Sequence, residues 1–470
     1  MAAMDVPGLA LAIVDRDGFV LTKGYGVRRL GSPGQVDADT LFDIASITKP
    51  FTATAAAMLV DEGRLRWDTK VQDHLPNFKL GDEYVSGEFQ LADALSHRGG
   101  FFDNYFYDLR PTMDRPEFYE RLGHSLSVHP FRTAFHYNNA VFALVGDVVA
   151  AVTGESWDIA VDERILAPLG MDATVTRRAD ALHIENRAVP HHLQRDGMAP
   201  LPPSPTRIAD AIPSTGAILS SASDMAKWCR FQLRAGTPGS TPAIAPETVQ
   251  AMRRLHVSGT FGWFSKWGYG RQRAGYGLGW MLLDYRDDAD QHVAHGGATP
   301  GMQAWMVLSP KHGYAIAMMS NGGWAGDSVH FAIANWIHDH YLGLEPVDWA
   351  GDRLAAHRAE FDSRLAKEGP KRAQDPTRPP SLPIAQYVGT FDHGMYGPMV
   401  ITLQDGALAV RMGVLAATAV PWGGDTFHLD WDNPDGPNGM MTFDVSEGRI
   451  IGMTYDEGTP FSFTVRAAPR

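Results

Sequence analysis

The sequence predicts an α/β protein: one sheet carrying an inserted all-α region, followed by a small all-β unit, barrel or sandwich. Three observations predict it. Strand-like segments stand at both ends of residues 1–345, with helical patterns between them over about 64–210. Residues 346–385 read as a stiff linker, because Pro370, Pro376, Pro379, Pro380 and Pro383 stand there among charges. Residues 386–470 are short strand-like runs separated by turns such as Gln404-Asp405-Gly406.

The elements follow in order. Leu9–Asp15, the turn Arg16-Asp17-Gly18 and the alternating run Phe19–Tyr25 read as a hairpin. Phe51–Val60 is apolar on every face, so it reads as a helix buried all round and ended by Asp61-Glu62-Gly63. Ala140–Thr153 carries a second helical pattern. Strands return at Tyr276–Leu283, Met302–Leu308 and Tyr314–Met319, the last two joined by the turn Pro310-Lys311-His312-Gly313. A final amphipathic helix would bury Val329, Ile333, Trp336, Ile337 and Tyr341.

Composition narrows the partners. The 470 residues are 44% hydrophobic and 20% charged, enough for a large core and unlike a disordered chain. A net charge of −13 repels phosphate backbones, so nucleic acid is not an expected partner. The single cysteine, Cys229, excludes an internal disulfide framework and a cysteine-based zinc site. Leu9–Val14 and Ala140–Val152 are too short, or broken by Asp147, for a membrane span of about 20 residues. Met1–Val6 lacks the basic start of a signal peptide, so a cytoplasmic location is expected; a chain trimmed of its leader would read the same way. Whether the chain forms a homo-oligomer stays open.

The chemistry begins at Phe42-Asp43-Ile44-Ala45-Ser46-Ile47-Thr48-Lys49-Pro50. Ser46 and Lys49 stand three apart at a helix start, on one face. The helix N-terminus aims free N–H groups at the place where an oxyanion would develop on a substrate. Burial lowers a lysine pKa, which would let Lys49 act as base toward the Ser46 hydroxyl. Pro50 falls in the first turn, where no helical hydrogen bond is lost. A serine N-cap with a solvated lysine is the bland alternative for such a motif.

Two further clusters complete the set. In Phe135-His136-Tyr137-Asn138-Asn139, Tyr137 could relay a proton and Asn139 could hold Lys49 or a substrate amide; a helix cap at Asn138 or Asn139 is the alternative. In His295-Gly296-Gly297-Ala298, the glycines allow close approach to a strand, and the N–H of Ala298 could pair with that of Ser46 as an oxyanion hole. A tight turn with a surface histidine is the alternative there.

Taken in this order, the three clusters resemble the serine β-lactamase and penicillin-binding-protein superfamily, nearest its class C β-lactamase-like branch of esterases, D-amino-acid peptidases and acyl transferases. Val6-Pro7-Gly8, Gly24-Tyr25-Gly26, Leu95-Ser96-His97-Arg98-Gly99-Gly100, Pro168-Leu169-Gly170-Met171, Pro213-Ser214-Thr215-Gly216 and Ser223-Asp224-Met225 add to the likeness. The resemblance implies an antiparallel sheet flanked by helices over residues 1–345. From Tyr387-Val388-Gly389 onward it implies a lipocalin-like barrel. It implies Ser46 as acylating nucleophile, Lys49 as base, Tyr137 as relay, Asn139 as positioning residue and His295 at the third motif, with no metal or organic cofactor. Where this family's β-lactamases and cell-wall enzymes usually carry a lysine that helps bind the substrate carboxylate, this chain has His295. That favours the esterase and D-peptidase side.

Other motifs carry less. No G-x-S-x-G elbow and no H-E-x-x-H occurs. His191-His192, His338-Asp339-His340 and Cys229 read as structural. Two aromatic loops read as pocket walls, one with Phe101 and Tyr105, the other with Trp263 and Trp267. The expected activity is hydrolysis of an ester or amide, including D-amino-acid peptides, through a Ser46 acyl-enzyme on a small-molecule or peptide substrate. An acyl transferase or peptide-cyclising enzyme, a β-lactamase or D,D-carboxypeptidase, and a non-catalytic binding protein stay open beside it.

Overall fold

The apolar segments at the two ends of residues 1–345 meet in one antiparallel sheet. The computed structural model describes residues 1–16, 18, 20–103, 106–110, 113–194, 196–202, 211–237, 239–259, 269–286, 288–367, 377–432, 439–456 and 460–465. The strands of the first domain are β1 (Gly8–Asp15), β2 (Val20–Gly26), β3 (Phe42–Asp43), β4 (His191–Gln194), β5 (Gly197–Pro200), β6 (Leu219–Ser220), β7 (Val257–Ser258), β8 (Tyr269–Tyr276), β9 (Met281–Tyr285), β10 (Asp288–Thr299), β11 (Met302–Ser309) and β12 (Tyr314–Ser320). Eight of them form the sheet in the order β2-β1-β12-β11-β10-β9-β8-β7. The chain start is stitched to strand β12 in register, Leu9 opposite Ser320 and Asp15 opposite Tyr314.

Helices cover both faces, which is why the central strands are apolar throughout instead of alternating. The helices that matter to the site are α1 (Thr48–Asp61), α2 (Asn139–Thr153), α3 (Ala222–Arg234), α4 (Ala325–Leu342) and α5 (Trp349–Lys367). Ala10, Ala12 and Val14 of β1 share a core with α1 and α3, where the Phe51 and Trp228 rings stack at 3.7 Å. Leu9 and Leu11 face the other way, into a core with Val329, Phe331 and Ile337 of α4. Helix α1 is buried from Thr48 to Leu59, as its all-round apolar pattern requires. Among the described residues from 64 to 202, the regular elements are short helices and α2, followed by the β4–β5 hairpin.

Residues 389–465 form a closed eight-stranded barrel: β13 (Gly389–His393), β14 (Gly397–Gln404), β15 (Ala407–Met412), β16 (Leu415–Gly423), β17 (Thr426–Trp431), β18 (Met440–Ser446), β19 (Arg449–Asp456) and β20 (Pro460–Val465). Each strand pairs with the next, and Phe391 opposite Val465 closes the ring. Phe391, Met399, Phe427 and Phe443 fill its interior.

Three expectations are corrected. The run Tyr276–Leu283 is not one strand: Gly277 N–H bonds to Trp280 O at 2.8 Å, and the turn lets Gly279, φ +77°, pass against Ala53 of α1. Residues 346–385 are not all linker, because 349–367 form α5, packed on α4. Its buried positions include Arg353 and His357 in place of aliphatics, so the helical stripe is hidden. Trp336 is 62% exposed, while its neighbour Ile337 is buried. Among the described residues no single helix is long and apolar enough to cross a membrane.

Candidate active site

Ser46 sits in the 3-10 turn Ala45–Ile47 that runs into α1. Ala45 holds φ +47°, rare for a residue with a side chain, so strain is stored beside the hydroxyl. Strand β10 passes this turn at backbone distance. A Cβ on Gly297 would stand 2.1 Å from the Ile44 carbonyl oxygen, so only glycine fits.

Lys49, one turn on, is completely buried. Its Nζ lies 3.0 Å from Ser46 Oγ and donates to Asn139 Oδ1 at 2.7 Å and Thr215 O at 3.0 Å. Burial pushes its pKa down to about 7, opposed by the charge of Asp103. A neutral amine has two N–H donors and one lone pair. The amide and the carbonyl take the donors, which leaves the lone pair for the Ser46 proton. Tyr137 donates its hydroxyl proton to Ser46 Oγ at 2.9 Å from the other side.

The two adjacent asparagines divide the work. Asn138 caps α2, its Oδ1 accepting from Val141 N–H at 2.8 Å. Asn139, the first residue of α2, reaches Lys49. Asp103 accepts from Asn139 N–H and Nδ2, both at 2.9 Å, which turns the amide oxygen toward the lysine. Burial raises the Asp103 carboxyl to about 6, and the Asn139 N–H and Lys49 oppose that rise. The Thr215 carbonyl is braced through its neighbour: Thr52 Oγ1 donates to Ser214 O at 2.6 Å and accepts from Trp157 Nε1 at 2.9 Å.

His295 is buried beside this group. Tyr276 donates to its Nε2 at 2.6 Å, and its Nδ1 donates to Gly296 O at 2.6 Å. Burial, then nearby Lys49, pushes its pKa down to about 3. Tyr276 and Gly296 thus engage both nitrogens of a neutral His295 ring. Ala298 is exposed on β10, opposite Gln303 of β11. Thr299 ties the strand end to Asp43 at 3.3 Å, and Arg178 pairs with the same carboxylate.

Phe101 is corrected from pocket wall to core: it is 2% exposed, and its carbonyl accepts from Asn138 Nδ2 at 3.1 Å. Tyr105, Trp263 and Trp267 lie outside the described residues. The roles of Asp103 and Tyr276 escaped the sequence reading, and Thr215 entered it only as a letter of the Pro213-Ser214-Thr215-Gly216 motif. Asp103 stands in a motif-poor loop, and nothing in a single sequence links it to Asn139.

A helix-flanked antiparallel sheet with this serine–lysine turn defines the class of β-lactamase-like serine hydrolases. The chain belongs to the beta-lactamase family, whose model matches residues 1–332. A second model, described as a domain of unknown function (DUF3471), matches residues 373–468. The chain is 31% identical over 323 residues to penicillin-binding protein 4 of Amycolatopsis lactamdurans, covering 68% of this chain and 81% of that one. It is 27% identical over 422 residues to an unguisins hydrolase of Aspergillus campestris, covering 84% and 74%. The octameric penicillin-binding protein homologue from Pyrococcus abyssi superposes with a TM-score of 0.62 at 18% identity, covering 99% and 97%, which shows a common fold.

Proposed function

We propose that the protein is a hydrolase that cleaves an ester or amide bond of a small-molecule or peptide substrate through a Ser46 acyl-enzyme. The carrying observation is Lys49, buried, with a pKa pushed to about 7, and 3.0 Å from Ser46 Oγ. Ser46 attacks the carbonyl carbon while Lys49 takes the hydroxyl proton. The N–H groups of Ser46 and Ala298 hold the oxyanion. Tyr137 hands a proton to the departing alcohol or amine and recovers one from Lys49, and water then releases the acyl group. The neutral, doubly bonded His295 offers no charge to a substrate carboxylate, which favours acyl groups without one at that position. The relative named an unguisins hydrolase supports hydrolysis as the outcome.

A panel of p-nitrophenyl esters and D-amino-acid p-nitroanilides, with nitrocefin as control, tests this on wild type and Ser46→Ala. Turnover of an ester or anilide that vanishes in Ser46→Ala is expected. Turnover undiminished by that change rejects the proposal.

A further inference from the structure

Among the described residues two turns of the barrel meet the catalytic domain, and one of them leads to Lys49. The turn Gly413–Val414 between β15 and β16 meets the 3-10 turn Phe106–Leu109. Val414 N–H donates to Leu109 O at 3.0 Å. A Cβ on Gly413, φ +59°, would stand 2.2 Å from that carbonyl oxygen, so the approach is as close as glycine allows. The turn between β13 and β14 meets the helix Arg115–Leu122. Arg121 Nη1 donates to Met395 O at 2.7 Å, and a Cβ on Gly394 would stand 2.5 Å from the His124 ring. Phe106, Leu109, Phe118, Met395 and Tyr396 lie in one continuous core with the barrel interior.

The gripped segment also carries Tyr107, buried, whose hydroxyl donates to the two Asp103 oxygens at 3.3 and 3.4 Å. Asp103 orients Asn139, and Asn139 holds Lys49. The Tyr107 bonds are long, so a displacement of a few tenths of an ångström at Leu109 removes them. We propose that the barrel is a positioning element of the active site: one turn holds Phe106–Leu109, the other holds the helix Arg115–Leu122 whose Phe118 ring packs 5.5 Å from Phe106, and through Tyr107, Asp103 and Asn139 they hold Lys49 against Ser46. This rests on the reading of Ser46 and Lys49 as nucleophile and base. It assigns the second domain a role in the rate of the chemical step, apart from any ligand of its own.

The test is a double-mutant cycle in the full chain. Gly413→Ala and Arg121→Met loosen the clamp at its two contacts, and Tyr107→Phe cuts the link. Ester hydrolysis gives kcat and KM, and Tm shows which variants fold; if one clamp variant fails to fold, the other carries the cycle. Each clamp variant is expected to lower kcat by about 10-fold with little change in KM, since an ångström of misplacement can cost about 100-fold. In the Tyr107→Phe background the same change should cost less than about 2-fold more, because the path is already cut. Losses that multiply in full, or clamp variants with lowered Tm and unchanged kcat, overturn the proposal. Activity that survives Ser46→Ala overturns the catalytic reading itself and the clamp with it. Multiplying losses with a dead Ser46→Ala overturn the clamp alone.

Discussion

Asp103 accepts both the backbone N–H and the side-chain amide of Asn139, each at 2.9 Å, and so decides that the amide oxygen faces Lys49. Both donors bind one oxygen, Oδ2, and Asp103→Ala removes that oxygen together with the charge. The kcat of this variant is expected to fall by about 10-fold or more, in line with the cost of small misplacements. The charge of Asp103 raises the Lys49 pKa, so its removal lowers that pKa further. The acid limb of kcat/KM should therefore move to lower pH while the plateau drops. A pH profile of the variant beside wild type checks both movements.

Wild-type kcat/KM should rise through an ionisation near 7, where burial has placed Lys49, and level off above it. Lys49→Met should lower kcat by about 100- to 10,000-fold. Lys49→Arg should not rescue, because a guanidinium stays protonated. Steady-state rates from pH 5 to 9 decide this.

Tyr137→Phe removes the donor 2.9 Å from Ser46 Oγ. The loss should fall on kcat by about 100-fold or more, with KM little changed, and should be smallest for esters with leaving groups that depart without a proton. Comparison of p-nitrophenyl with alkyl esters reads out that difference.

Gly297→Ala would set a methyl group 2.1 Å from Ile44 O. Strand β10 must then retreat from the Ser46 turn. A stability loss of about 1–3 kcal/mol is expected, together with a loss of activity. Denaturant midpoints and kcat measure the two effects.

Burial holds several histidines neutral, among them His295 and His330 near 3 and His393 near 4, with His97 and His338 also held well below the usual value. Folded pKa values below the free histidine value mean that the unfolded chain binds more protons as pH falls. The stability gained from burying them neutral is complete above about 6.5 and is lost progressively toward pH 4 and 3. Tm should therefore fall steadily from pH 7 to 4.5. A flat Tm over that range would contradict the burial of these rings.

Much of the site was legible because its chemistry is written in short local motifs. Ser46 and Lys49 are one helical turn apart, and Tyr137 and Asn139 stand just before a strongly apolar helix. The sheet was legible at β1, β11 and β12, which are short and apolar. What stayed hidden depends on distant pairing. Asp103 meets Asn139 across 36 residues, and Tyr276 meets His295 across two strands of the sheet. Helix α5 stayed hidden because its covered face includes a histidine that pairs with Asp5 and stacks on Trp324. The third motif was legible as letters, but the state of His295 depends on burial, which only the fold supplies.

The central claim is that Lys49, made neutral by burial, activates Ser46. The most direct measurement is the rate of phosphonylation by a fluorophosphonate probe against pH, with the adduct located by digestion and mass spectrometry. A single adduct on Ser46, forming with an ionisation near 7 and lost in Lys49→Met, is the expected result. An adduct elsewhere, or a labelling rate flat from pH 5 to 9 and indifferent to Lys49, would contradict it.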